Sequence, residues 1–379
     1  MKTMKEGCHE MRKLSERVDI RLGYRCNARC GFCYYKESLT SSKGEPSTER
    51  VKERLQAMRR AGASEIEFTG GEPTIRKDLP ELIAAAKELG YRNISIISNG
   101  LRLADERFAK EVVEAGANDF LFSLHGHCAK LHDRQTAVKG SFRRIVTAMG
   151  HVQSLGARCR SSTTVNGQNY RHVTDIVGYQ IELGVAAIHL AVFSPVAQAV
   201  GEDNGSLVAY EAAAVEIKKA IDHHRQRLPP LSVKYIPFCF MRGYEQYVMN
   251  LYQQSFDPDD WNYFLSQVVR RGDRPLHRLA VRAAGLAGAL LLKEHSFPLK
   301  YGWRGLQVFG VTRIVELLRK KRPQACRSCR YDYVCDHVWK DYLEHFGATG
   351  IIPVPGTKIK DPAWCYELAA QRQPGEPVA

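Results

Sequence analysis

From about residue 17 to 195 the chain alternates short apolar runs with longer stretches of helical periodicity. VDIRLGY (18–24), EIEFTG (65–70), ISIISNG (94–100), DFLFSLHG (119–126), RCRSSTTVN (158–166) and AIHLAVFS (187–194) read as strands. Helices are expected near 48–61, 78–90, 103–115, 140–155 and 170–183. Pro46 and Ser47 open the first, with Glu49 in its first turn. Gly90, Gly116 and Gly184 close the second, third and fifth. Strand and helix in alternation imply a parallel sheet with crossover helices. Six units fall short of a closed eight-unit barrel, so the fold expected is α/β, a partial (β/α)6 TIM-like barrel over 17–205. In such sheets the active site lies at the carboxyl ends of the strands.

Beyond about 205 the rhythm changes. Residues 207–228 read as one long helix, and 231–239 as strand-like. Residues 241–321 look helical in pieces, broken near 257–260 and 272–273. The expected organisation is an N-terminal segment (1–16), the barrel core (17–205), a helical insert or linker (206–322) and a terminal region (323–379).

The chain has 379 residues, 44% apolar and 25% charged, an ordinary globular balance that argues against wholesale disorder. Residues 1–16 are charged throughout and lack the apolar core of a secretory signal, so a cytoplasmic protein is expected. The most aliphatic run, Ala283 to Leu292, is about half a membrane span, and no membrane partner is expected. The net charge of +14 favours an anionic substrate. The basic stretches Arg270-Arg271 with Arg274, and Arg319 to Arg322, lack interleaved aromatics and read as solvated helix ends rather than a nucleic-acid site.

Eleven cysteines are too few for a disulfide scaffold of this length, but six of them form two tight groups. Cys26, Cys30 and Cys33 follow the first strand. Three thiolates can hold three irons of a cubane and leave the fourth open, whereas a zinc site would need a remote fourth ligand. Cys326, Cys329 and Cys335 form the second group. It also needs a fourth ligand, either Cys239 or Cys365, and zinc remains an alternative there.

The CxxxCxxC run, with Phe32 before its last cysteine, resembles the radical S-adenosylmethionine (radical SAM) superfamily. Gly70-Gly71-Glu72-Pro73, thirty-seven residues after the triad, is similar to that family's GGEP motif. The resemblance implies a 4Fe–4S cluster on Cys26, Cys30 and Cys33, whose open iron chelates S-adenosyl-L-methionine. It further implies adenine contact at the Phe32 backbone, and a carboxylate, Glu72, for the methionine ammonium. Ser98 and Asn99 end the third strand and Ser123 the fourth. Thr164, Asn166 and Phe193 are cofactor-contact candidates at later strand ends. His125 and His127 read as hydrogen-bonding or surface residues rather than bases. Cys8 and Cys159 have no assigned role. Cys128, past strand four, is a candidate hydrogen-atom donor by likeness to some radical epimerases, although a lone cysteine is more often inert.

The second cysteine group resembles the SPASM and shorter "twitch" extensions, which carry auxiliary 4Fe–4S clusters. It departs from full SPASM: upstream only Cys239 stands where a pair is expected, and Trp339 replaces a later cysteine. One auxiliary cluster is therefore expected, with Cys239 favoured as fourth ligand. The family's chemistry implies hydrogen-atom abstraction, with a sugar-like small molecule as the favoured substrate for oxidation or epimerisation. It also implies an external electron donor such as flavodoxin or ferredoxin. A peptide-modifying maturase is the alternative, weakened because only 25 residues precede Cys26. A non-catalytic electron carrier or scaffold would not need the GGEP sequence.

Overall fold

The computed structural model describes residues 13–33, 44–193, 205–260, 262, 264, 275–294 and 296–371. Cys8, Arg270, Arg271 and Arg274 lie outside the described residues. The sheet is a curled half-barrel of seven parallel strands in sequence order: β1 (Arg17–Arg21), β2 (Glu65–Thr69), β3 (Asn93–Ser98), β4 (Asp119–Ser123), β5 (Arg158–Val165), β6 (Ile188–Val192) and β7 (Leu231–Lys234). The sequence pattern counts six. The seventh is the strand-like run after residue 230, which α7 (Tyr210–His224) carries back into register beside β6. Only four residues long, it lacks a periodicity of its own to announce its place in the sheet.

The crossover helices are α1 (Thr48–Arg60), α2 (Leu79–Glu88), α3 (Glu106–Ala115), α4 (Ala129–Thr136), α5 (Ser141–Ser154) and α6 (Val173–Glu182). Local chemistry sets their ends. The Ser47 side chain accepts from Arg50 N at the start of α1, and Asp105 caps α3 in the same way. Alternate strand residues face opposite sides of the sheet. Ile66, Phe68, Ile94, Ile96, Phe120 and Phe122 are buried, and this set packs with Leu55, Leu82, Ile83, Val112 and Val152 of the helices.

The other face, at the amino-terminal ends of the strands, is polar. Arg160 is fully buried and grips Asp119 through two bonds, Nε–Oδ1 2.8 Å and Nη2–Oδ2 2.6 Å. Arg17 reaches the same carboxylate at 3.0 Å, and Ser95 accepts from Arg160 at 2.9 Å. Burial opposes the charge on Asp119, but Arg160 and Arg17 outweigh it and hold its carboxyl below the usual range. An incomplete barrel has no closed apolar layering, and this ionic plug seals its floor.

After β7 come α8 (Leu251–Gln254), α9 (Pro275–Leu290), α10 (Ser296–Lys300) and α11 (Gly302–Arg319). The antiparallel pair β8 (Lys320–Lys321) and β9 (Val338–Trp339) then brackets the second cysteine group. The chain ends in α12 (Lys340–Phe346) and α13 (Trp364–Gln371). Tyr342 of α12 stacks on Tyr210 of α7 at 3.8 Å and ties this region to the barrel. Among the described residues no helix is long and apolar enough to cross a membrane.

Candidate functional site

The first cysteine group sits where β1 delivers it, on a loop at the carboxyl rim. Cys26, Cys30 and Cys33 are all partly buried. The loop is pinned by backbone bonds: Gly71 N donates to Gly23 O (3.0 Å), Glu72 N to Arg25 O (2.9 Å) and Arg29 N to Thr136 O (3.0 Å). Gly70 and Gly71 permit this contact. A Cβ at Gly70 would lie 2.4 Å from Gly23 O, and one at Gly71 2.0 Å from Arg25 O. The glycine pair therefore lets the turn after β2 press directly against the backbone of the cysteine loop.

Burial is the main cause that pushes Cys26 up to about 11 and Cys30 up to about 12. The neighbouring thiols and Glu72 push the same way. Ala28 N, 3.4 Å from Cys26 Sγ, partly offsets this. Three partly buried thiols that each oppose the others' ionisation would be stable as thiolates only around a cation. A triad of soft donors suits iron held through sulfur.

Beside the triad lies Glu72, 4% exposed. Its Oε1 accepts from Thr74 N (3.1 Å), Thr74 Oγ1 (2.6 Å) and Ser98 Oγ (2.8 Å), and its Oε2 accepts from Asn99 N (2.8 Å). Burial raises its pKa, and these four donors oppose the rise. Pro73, itself buried, begins the short turn that brings Thr74 into place. Asn99 Nδ2 approaches Cys26 Sγ at 3.7 Å and donates to Asn27 Oδ1 at 2.7 Å. Three candidates from two strand ends, Glu72, Ser98 and Asn99, thus form one hydrogen-bonded unit against the cysteine loop.

Other candidates occupy the rest of the rim. Ser123 is half-buried at the end of β4. Phe32 packs edge-on to His125, ring centroids 4.7 Å apart. His125 Nδ1 accepts from Thr164 N (3.2 Å), and its carbonyl accepts from Asn169 Nδ2 (3.1 Å). Burial pushes His125 down to about 3, so its ring is neutral, in keeping with the hydrogen-bonding role expected of it. Asn166 follows β5 and is fully buried. Its amide is spent on Gln135 (3.0 Å) and on the Thr164 carbonyl (3.3 Å). Phe193 lies just past β6, its N–H donating to Val165 O (2.8 Å). Cys128 is the half-buried residue before α4. Sequence reasoning missed Thr74, Asn27 and Gln135, which act only through contacts that the fold creates.

The second group lines a separate, small cavity with Cys239, Cys326, Cys329 and Cys335 on its wall. Phe238, Tyr331, Val338 and Ile351 supply its apolar lining. Burial, then Cys326 and Cys329, push Cys239 up to about 12. Backbone donors already point at two sulfurs: Val354 N at Cys329 Sγ and His337 N at Cys335 Sγ, each at 3.3 Å. Cys365 is absent from this wall; it is fully buried in α13, its thiol directed to Pro362 O at 3.5 Å.

Residues 20–179 match the family model described as the Radical SAM superfamily. Among curated proteins the chain is similar to Fe-coproporphyrin III synthase of Methanosarcina barkeri, 31% identical over 208 residues, which cover 54% of this chain and 51% of that protein. It is also similar to a probable GTP 3′,8-cyclase of Saccharolobus islandicus, 30% identical over 48% of this chain and 58% of the relative. The chain thus spans about half the length of the curated relatives it matches. Among solved structures it is similar to Streptococcus suis SuiB, with 21% identity, a TM-score of 0.47, and 58% of this chain and 49% of that one covered.

Proposed function

We propose that this chain, whose residues 20–179 match the Radical SAM superfamily model, is an enzyme of that superfamily that abstracts a hydrogen atom from a small organic substrate at the carboxyl rim of its half-barrel. Oxidation or epimerisation of a sugar-like molecule is the outcome we favour. When bound, a 4Fe–4S cluster and S-adenosylmethionine supply a reductively generated 5′-deoxyadenosyl radical. The remaining work falls to the chain's own residues. Cys26, Cys30 and Cys33 would hold the cluster and leave one iron free of protein. Glu72, fixed by Thr74, Ser98 and Asn99 next to the cysteine loop, would offer a preorganised carboxylate to an ammonium group. Phe32 and the neutral His125 wall the rim with uncharged rings and exclude water. Half-buried at the same rim, Cys128 is the residue available to return a hydrogen atom if the outcome is epimerisation.

The observation that carries this reading is the meeting of the thiol triad with the Glu72–Ser98–Asn99 unit, joined at Asn99 Nδ2 to Cys26 Sγ. For the second centre we favour an auxiliary 4Fe–4S cluster on Cys239, Cys326, Cys329 and Cys335. All four cysteines share one cavity wall, which supports a single centre held by the four together. The test is isotopic. The reduced holoprotein, incubated with S-adenosylmethionine and a panel of fully deuterated small molecules, should place deuterium in 5′-deoxyadenosine for at least one class. Deuterium appearing only from a peptide would move the substrate assignment to that class.

A further inference from the structure

The outer face of α9 is apolar where a water-facing helix would be polar. Its inner side is closed by backbone contact with α11. A Cβ at Gly288 would lie 2.2 Å from Gly310 O, and one at Gly310 1.7 Å from Gly285 O. The Leu291 carbonyl accepts from Arg313 Nε at 2.8 Å, so the two helices run side by side in the same direction. Gly285, Gly288, Ala289 and Leu292 fill that contact. On the opposite arc, at helical spacing, stand Leu279, Ala283, Ala287 and Leu290, all exposed. Among the described residues seven of the ten exposed large apolar side chains lie between Leu279 and Leu318, including Leu290 at 80% and Trp303 at 64%. A helix with one apolar arc packed on α11 and a second apolar arc left outward calls for a cover on the outer arc as well.

Charge identifies the cover. Between Pro275 and Arg322 the sequence has ten Lys and Arg residues against two acids. Five of the ten, Lys293, Lys300, Arg313, Lys320 and Arg322, are held in ion pairs. Both acids are engaged: Glu316 is buried against Lys293 and Arg313, and Glu294 pairs with Lys360. Arg282 on α9, and Arg319 and Lys321 at and just past the end of α11, stand exposed. Apolar side chains with a basic surround and an exposed tryptophan match the boundary of an anionic bilayer, where the acyl region takes the leucines and the headgroups take the cations. We infer that the parallel α9–α11 pair lies in the plane of an anionic lipid surface and docks the enzyme there without spanning it. This goes beyond the catalytic reading and does not depend on it.

The test uses the full-length holoprotein with phosphatidylcholine vesicles, with and without phosphatidylglycerol, read by co-sedimentation. Binding is expected to the anionic vesicles and to weaken as salt rises. Leu290→Glu and Trp303→Ser, at exposed positions, should leave iron content and melting temperature unchanged while weakening vesicle binding about tenfold each. The inference is overturned if wild type binds neither vesicle, or if both variants bind as wild type does. It is equally overturned if light scattering finds a dimer that Leu290→Glu splits, since the cover would then be a second copy.

Discussion

Gly71→Ala is the sharpest single-atom probe of the cysteine loop. The added Cβ would stand 2.0 Å from Arg25 O and 2.5 Å from Tyr24 O, both backbone atoms that no rotamer change can move aside. Since real Cβ atoms keep about 3.0 Å or more, the loop carrying Cys26 must retreat by about 1 Å. That retreat breaks or stretches the Gly71–Gly23 and Glu72–Arg25 bonds, now 3.0 and 2.9 Å. Two backbone bonds at about 0.5–1.5 kcal/mol each, with about 1–3 kcal/mol for overpacking, destabilise the formed loop by about 2–6 kcal/mol. Even the lower figure reduces the ready conformation about thirtyfold. The assay is iron per chain after anaerobic reconstitution, with about eight atoms expected in wild type and about four in the variant, because the Cys239 cavity is distant in the fold. Gly150→Ala is the control: it lies within α5 with nothing within 4 Å of the added carbon, and should keep all its iron. Full iron in Gly71→Ala would refute the claim that this glycine positions the loop.

Glu72→Gln keeps the shape but sets an amide NH₂ against either the Asn99 N–H or the Thr74 and Ser98 donors. One unsatisfied buried group costs about 1–3 kcal/mol, so S-adenosylmethionine should bind about 5- to 150-fold more weakly, with iron retained; calorimetry on the holoprotein checks this. Cys239→Ala should abolish the auxiliary iron signal and Cys365→Ala should not; the reverse would exchange their roles. Arg160→Met leaves Asp119 and Glu67 buried with less compensation and should cost about 3–5 kcal/mol in urea unfolding. His125 and His132 are pushed by burial down to about 3 and about 4 from 6.5. Below pH 6.5 the unfolded chain takes up protons that the folded chain refuses, so stability falls as pH drops, by up to about 1.4 kcal/mol per pH unit for each ring. In denaturation at pH 7 and pH 5, His125→Asn should flatten that slope; an unchanged slope would remove His125 as a contributor.

The strand–helix alternation is legible from its periodicity, and two crossover helices add local signals of their own, the caps Ser47 and Asp105 and the stop Gly116. The strand ends were legible because polar residues there interrupt apolar runs, which is how Glu72, Ser98 and Asn99 could be named separately. Their union through one carboxylate was not, since it depends on the register of β2 against β3. The floor of the barrel was equally hidden. Arg17, Asp119 and Arg160 lie in three strands far apart in sequence, and each alone reads as an ordinary surface charge. In the terminal region the sequence favours Cys239 over Cys365 as fourth ligand but cannot place either in space. The turn after β7 sets Cys239 on the cavity wall, while α13 turns Cys365 toward Pro362. The apolar outer face of α9 is not legible in the linear run Ala283 to Leu292, because which of those residues face α11 and which face outward is set only by the packing of the two helices.

The account stands on one iron of the first centre remaining free of protein sulfur, next to Glu72. The direct measurement is electron paramagnetic resonance of the reduced protein carrying Cys239→Ala, Cys326→Ala and Cys329→Ala, which retains only the first centre. Addition of S-adenosylmethionine should shift the spectrum of a 4Fe–4S signal that is lost when Cys26, Cys30 and Cys33 are also replaced. A signal that persists without those three cysteines, or one indifferent to S-adenosylmethionine, would contradict it.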